Sequence, residues 1–257
     1  MSRYLPLSPQ RFGDQRWQRF RDYRHTLGVH LTPVAAPEVS AAAAHLPLAF
    51  ARDAQGKRLL CALSGLREGV NHCLDARQAW LAGYTPALLR SHPFRLLPPP
   101  PEKGEAHQRV LCVDIDSPWV RPDGDQAFLD GERMSPAVEE IFQFLGQLAQ
   151  HLARTEQAVA ALEGAGLLIP WKIEDEQDQP LRGLQRVDET ALAKLDAEPL
   201  AELHRQGALA LAYAQMISTH QLPALQTRAR QLEHQAPRED LGDFFSGPSE
   251  LQFDFNQ

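Results

Sequence analysis

The chain has 257 residues, 43% hydrophobic and 23% charged, a composition that supports a real core and excludes wholesale disorder. Its formal charge of −7 runs against a protein whose main work is gripping nucleic acid or anionic lipid, because phosphate binding needs a local excess of Lys and Arg. No run of about 18 apolar residues occurs, so no membrane span is expected, and residues 1–10 lack the apolar stretch of a signal peptide. Three cysteines, Cys61, Cys73 and Cys112, suit a reducing compartment in which the thiol packs as a small hydrophobe; the bacterial cytoplasm is the expected location.

Residues 3–24 carry six arginines against Asp14 and Asp22, interleaved with Phe12, Trp17, Phe20 and Tyr23. Arginine with aromatics is the composition of a protein interface, but the same pattern arises when the aromatics join the core and the arginines stay solvated. Both readings stand at this point. The alanines at 41–44 favour a short helix. Apolar runs at 46–50 and 58–63 flank a turn-like segment at Asp53 to Gly56 and predict a β-hairpin. Residues 85–89 predict another short helix, ended near His92 and Pro93. The four prolines at 98–101 mark an extended connector at 98–106, which divides an N-terminal part, 1–97, from a C-terminal part, 107–236.

In the C-terminal part, residues 110–115 read as a buried strand. Ser135 before Pro136, with Glu139 and Glu140 next, is a helix start. Val138, Ile141, Phe142, Leu145, Leu148 and Leu152 then follow at helical spacing. Thr155 is expected to cap a second helix ending near Gly164 to Gly166. Residues 167–173 and 181–187 predict a second hairpin around the acidic turn Glu174, Asp175, Glu176 and Asp178. Residues 199–220 predict one long helix, with Leu211 and Ile217 on one side and Leu209, Tyr213 and Met216 on another, buried on more than one face. Helix, helix, hairpin, helix is also the order of a winged-helix unit, but an acidic wing would repel phosphate. A Gln- and Arg-rich helix should stop before Pro237. The tail at 237–257 sets Phe244, Phe245, Phe253 and Phe255 among carboxylates and docks either on this protein or on a partner by strand addition. The fold class expected is α+β: a strand-rich N-terminal part and a mainly helical C-terminal part with a β-hairpin, packed as one globular unit.

Motifs for chemistry are sparse. The ten histidines show neither HExxH nor finger spacing, and His25 and His30 are a weak pair. Asp114, Asp116, Asp123 and Asp125 offer carboxylates for a divalent cation, yet Asp and Gly also mark ordinary strand-end turns, so no metal is expected. Ser64 lacks the glycine framing of a nucleophile elbow, Cys73 beside His72 reads as a buried thiol, and no phosphate-binding glycine motif occurs. No cofactor and no catalytic residue are expected.

One segment is more specific. Trp80, Tyr84, Pro86, Ala87, Arg90, Pro93 and Phe94 resemble the W-x3-Y-x-P-A-x-x-R-x-x-P-F signature of the SapC-like bacterial family. Pro47 to Phe50, Gly65-Leu66 with Asn71, Cys112 to Asp114, Gly124 to Gly131, Thr155, Leu167-Leu168, Val187-Asp188 and Leu203 to Ser218 continue the likeness in order, over about residues 4–225. Ser91 and His92 depart from the Arg-Arg-Tyr common there, and no histidine stands near Phe12. The resemblance implies no catalytic set. It implies an accessory role linked to surface-layer or peptide-transport systems, with a protein or peptide partner such as a flavin-dependent halogenase-like or cupin-like enzyme. Because no membrane span is expected, transport would need a membrane partner.

The candidate ligand- or partner-binding residues are therefore Trp80, Tyr84, Arg90, His92, Asp114 and Asp116, together with Trp17, Phe20 and the four tail phenylalanines. Arg90 is expected either to pair with Asp114 or to bind an anion. An enzyme acting on a peptide or small acid through Arg90, Asp114, Asp116 and His92 is the alternative to an adaptor. Homo-oligomerisation stays open.

Overall fold

The computed structural model of the chain describes residues 3–99, 109–173 and 181–235. In chain order the regular elements are β1 (Tyr4–Pro6), α1 (Pro9–Phe12), β2 (Arg16–Trp17), β3 (Leu31–Pro33), α2 (Val39–Ala43), β4 (Leu48–Arg52), β5 (Arg58–Leu63), α3 (Ala87–Arg90) and β6 (Phe94–Leu97). After the connector come β7 (Val110–Asp114), β8 (Gln126–Ala127), β9 (Leu129–Asp130), β10 (Arg133–Met134), α4 (Pro136–Gly164), β11 (Leu168–Pro170), β12 (Gln185–Val187), α5 (Glu189–Ala193), α6 (Ala197–Arg205), α7 (Ala208–Ser218) and α8 (Leu222–Gln235). The class is mixed α+β, with sheets mostly N-terminal and long helices C-terminal. No helix among the described residues is long and apolar enough to cross a membrane.

Two antiparallel sheets organise the molecule. The larger has the order β11-β12-β4-β5-β3 and the smaller the order β1-β7-β6. The expected hairpin is β4–β5: at its turn Asp53 Oδ1 accepts the amides of Gln55 and Lys57 at 2.9 and 2.8 Å, closing the loop with its own side chain. The second expected hairpin, β11–β12, docks its β12 edge on β4 through Gln185 opposite Phe50. Strand pairing therefore joins residues on both sides of the proline-rich connector, which itself lies largely outside the described residues, as does the acidic turn at 174–178.

α4 is one helix of 29 residues, about 43 Å long, and not two. Its start is as the sequence predicts: Ser135 Oγ accepts the Val138 amide and Pro136 takes the first position, where no N–H is needed. Thr155, expected as a cap, stands mid-helix. Its hydroxyl donates to the His151 carbonyl at 2.7 Å and accepts the Ala36 amide at 2.8 Å, so it is a contact to the turn before α2 and not a helix end. Val138, Leu145 and Leu148 near the start of α4 enter a core with Phe12, Trp17, Phe94 and Phe128. Ala158, Val159 and Leu162 near its end enter the larger core under the five-stranded sheet.

The helix predicted at 199–220 is broken. Gly207 adopts φ +72°, a left-handed conformation that a side chain resists, and it separates α6 from α7. α7 seats Leu211 and Ala212 in the larger core, and Leu209 and Met216 of the second stripe pack partly buried against it, while Tyr213 is 49% and Ile217, on the first stripe, 64% exposed. The buried face of α7 also carries polar groups. Gln215 accepts the Val187 amide at 2.9 Å and donates to the Leu48 carbonyl at 3.1 Å, while Ser218 accepts the Leu48 amide at 2.9 Å. These two side chains satisfy backbone groups that β4 and β12 leave unpaired where their ladder ends.

Candidate functional site

The motif at residues 80–94 folds around a carboxylate that the sequence reading did not single out. Glu38 is buried and accepts three hydrogen bonds, from the Tyr84 hydroxyl at 2.7 Å, the Ala87 amide at 2.8 Å and the Ala35 amide at 2.9 Å. Burial first, and then the bond to Glu38, push the Tyr84 phenol up to about 12, so it remains a donor. Trp80 Nε1 donates to the Tyr84 carbonyl at 2.8 Å, and the exposed Arg90 lies with its guanidinium carbon 5.7 Å from the Tyr84 ring centre. Trp80, Tyr84, Pro86, Ala87 and Arg90 thus form one hub, which fixes α3 against the turn preceding α2. The Gly124 element of the resemblance is also architectural: a Cβ there would stand 2.6 Å from the backbone of Trp17.

Beside this hub, His25 and His92 stack with parallel rings, 4.0 Å between centres and 9° between planes. Phe20 packs edge-on to both, at 4.9 and 6.2 Å. His25 Nε2 lies 3.1 Å from the Leu89 carbonyl, an acceptor, which requires the N–H on Nε2 and leaves Nδ1 as an acceptor. That Nδ1 is buried and has no hydrogen-bond partner among the described residues. His92 Nε2 stands 2.8 Å from Ser117 Oγ. Burial, followed by the neighbouring His25 and Arg95, drives His92 down to about 3, and burial lowers His25 as well. Both rings are therefore neutral at physiological pH.

The stacked pair borders a cleft of about 120 Å³, walled by Val29, Leu88, Leu89 and Phe94 and by the polar groups of Tyr4, His25, His92 and Arg95. Arg95 is exposed and lies 5.0 Å over the Tyr4 ring, so it supplies a cation at the rim. A cavity of about 150 Å³ holds a benzene-sized group, whereas cofactor and drug-sized sites run to roughly 300–1,000 Å³. This cleft has room for one side chain or a small acid.

The other predicted residues are distributed differently. Asp114 is buried, and its Oδ1 accepts the amides of Arg3 and Asp116, each at 3.2 Å; it closes the end of β7 and does not pair with Arg90. Asp116 is exposed and faces Arg3 at 3.5 Å. No cluster of three or more metal-ligating side chains occurs among the described residues. Trp17 is only 2% exposed, edge-on to Phe94 at 4.9 Å, and belongs to the smaller core rather than to a surface. Phe20 and Tyr23 are half-buried against the imidazoles and Trp80, while Arg11, Arg16, Arg19, Arg21 and Arg24 are exposed, so in this segment the aromatics pack and the arginines face solvent. Phe244, Phe245, Phe253 and Phe255 lie outside the described residues. Structure thus brings His92, Phe20, Trp80 and Tyr84 into one neighbourhood and adds Glu38, His25, Tyr4 and Arg95. The sequence signals for two of the additions are slight: His25 directly follows the Arg/aromatic segment and reads only as a weak pair with His30, and Glu38 follows Pro37.

Among known proteins, the family model described as SapC matches residues 7–225. No curated protein and no solved structure matches the chain.

Proposed function

The chain belongs to the SapC family, and from that premise we propose that it is a non-catalytic accessory protein of a bacterial uptake or peptide-modification system, binding a protein or peptide partner. The observation that carries this reading is the cleft at His25 and His92. Its volume of about 120 Å³ suits one residue of a partner chain, and its single cation, Arg95, suits a carboxylate. The apolar walls bury the stem of such a residue, and the neutral imidazoles offer hydrogen bonds without a charge to desolvate. An imidazole held near 3 is poorly matched to proton transfer at neutral pH, which favours binding over catalysis. A partner of the halogenase-like or cupin-like oxygenase class would be recognised through an acidic side chain or a chain terminus.

The same cleft also favours a second reading, an enzyme or enzyme subunit acting on a peptide or small acid, with Arg95 anchoring the acid. Affinity capture from the native host, followed by mass spectrometry, separates the two. Leu88→Trp fills the cleft and Arg95→Ala removes its cation; both should retain the wild-type thermal melt. A stoichiometric partner recovered with wild type and lost at least tenfold with both variants supports the adaptor. Equal recovery with all three chains removes the cleft from the interface. Turnover of a host peptide or small acid, abolished by the same variants, establishes the enzyme.

A further inference from the structure

Residues 206–227 contain no Asp, Glu, Lys or Arg, in a chain that is 23% charged. They include all of α7, which turns Ala208, Leu211, Ala212, Gln215 and Ser218 inward. Ala210, Tyr213 and Ile217, spaced by three and four residues, share its outer face, with the half-buried Ala214 at the edge. Ile217 is the most exposed large hydrophobic among the described residues, and Tyr213 stands one turn before it. The nearest charges along the chain are engaged elsewhere: Arg205 pairs with Glu202, and Arg228 reaches to 3.9 Å from the Cys73 sulfur. A single exposed apolar side chain is ordinary, but an uncharged helical stripe with large members outward marks an interaction surface.

We propose that this face is the contact between two copies of the chain, with α7 packed antiparallel to its counterpart across a two-fold axis. An axis crossing the helix between Tyr213 and Ala214 sets Ala210 of each copy against Ile217 of the other, and Tyr213 against Ala214. Both contacts put a small side chain opposite a large one, so the two stripes interdigitate. The alanines let the helix axes approach to about 8 Å. Charge selects the same occupant, because a face without charge desolvates none when it meets itself. Residues 239–257, with five Asp and Glu and no Lys or Arg, would instead set carboxylates on a stripe that offers no cation. One helix pair falls below the roughly 1,200 Å² of stable interfaces, so the dimer forms at micromolar concentrations and above. Two chains of formal charge −7 repel each other, so salt tightens it. None of these residues lines the cleft at His25 and His92, and the inference does not rest on the function proposed above.

Sedimentation equilibrium of the full chain from roughly 1 to 200 µM is the test. Monomer and dimer should exchange in this range, with the dissociation constant falling as sodium chloride rises from about 0.05 to 0.5 M. Ala210→Glu and Ile217→Lys, both at exposed positions, should each weaken the dimer at least tenfold. Combined in one chain, they set a carboxylate against an ammonium on both sides of the axis and should restore the dimer to within about threefold of wild type. In a parallel pair like charges would meet, and the double variant would dissociate further. Equal helical circular dichroism in all four chains separates a lost contact from a lost fold. A monomer at every concentration overturns the proposal and leaves the face to residues 239–257 or to a different protein. A dimer indifferent to both single changes, or one that the double variant fails to restore, overturns it as well.

Discussion

The larger core fills the space between a five-stranded sheet and α2, α6 and α7 with Leu, Val and Ala, whereas the smaller stacks Phe12, Trp17, Phe94 and Phe128 against three short strands. Aliphatic side chains suffice where long regular elements present matching faces, because many small contacts add up along each face. The smaller core is closed by irregular chain, and four rings at centre distances of 4.9–6.3 Å supply large buried area from few residues. Its rim is where the titratable groups collect: His25, His92, Tyr4 and Asp114 all lie beside β1, β6 and β7. Under the five-stranded sheet the buried cation, Arg58 on β5, is instead paired with Glu163 of α4 at 3.0 Å.

The sharpest way to break this comparison is to cut into each core separately. Phe94→Ala should cost about 3–5 kcal/mol and Leu211→Ala about 2–5 kcal/mol. Because α4 contributes side chains to both cores, urea unfolding followed by tryptophan fluorescence and by helical circular dichroism should move together in each variant. If Phe94→Ala shifted the fluorescence transition alone, the two cores would be separately stable units.

Acid sharpens it next. His92 and His25 have folded-state values below that of an unfolded histidine, about 6.5. For His92, between about 6.5 and 3 the unfolded chain holds a proton the folded chain refuses, so its stability contribution is complete above 6.5 and is lost as pH falls through that window, and His25 acts in the same direction. The loss from His92 should be on the order of 3 kcal/mol between pH 6.5 and 4. Denaturant titrations should show His92→Gln flattening that slope. A slope unchanged in His92→Gln and in His25→Gln would mean the imidazoles are not the buried neutral pair described above.

The smallest effect tests the larger core's boundary. Gly207→Ala should destabilise by about 1 kcal/mol, since alanine resists the φ of +72° that separates α6 from α7. A neutral or stabilising change would show that α6 and α7 prefer to merge into the single helix their sequence suggests.

Much of the fold was legible because periodicity and turn chemistry are local. Residues 46–63 read as a hairpin from two apolar runs and an Asp/Gly turn, and the start of α4 read from Ser135 and Pro136. Two errors share one cause. Thr155 and Gly207 each carry a residue type with two local meanings, cap or mid-helix donor for threonine, tolerated interior or break for glycine, and only their tertiary neighbours choose between them. The site was less legible. Trp80, Tyr84 and His92 were found through the motif, but their partners Glu38, His25 and Ser117 are 46, 67 and 25 residues away, and no spacing rule connects them.

By itself, then, the sequence determined the α+β class, the hairpins β4–β5 and β11–β12, strand β7, the approximate positions of most helices and the absence of a membrane-crossing helix among the described elements, all set by nearest neighbours and by the period of apolar side chains. The tertiary structure alone decided that Asp114 closes a strand end instead of pairing with Arg90, that Trp17 is core, and that two distant histidines stack over one cleft. Those outcomes depend on which buried polar group finds which partner, and in a packed interior that is settled by whole elements meeting, not by the residues on either side.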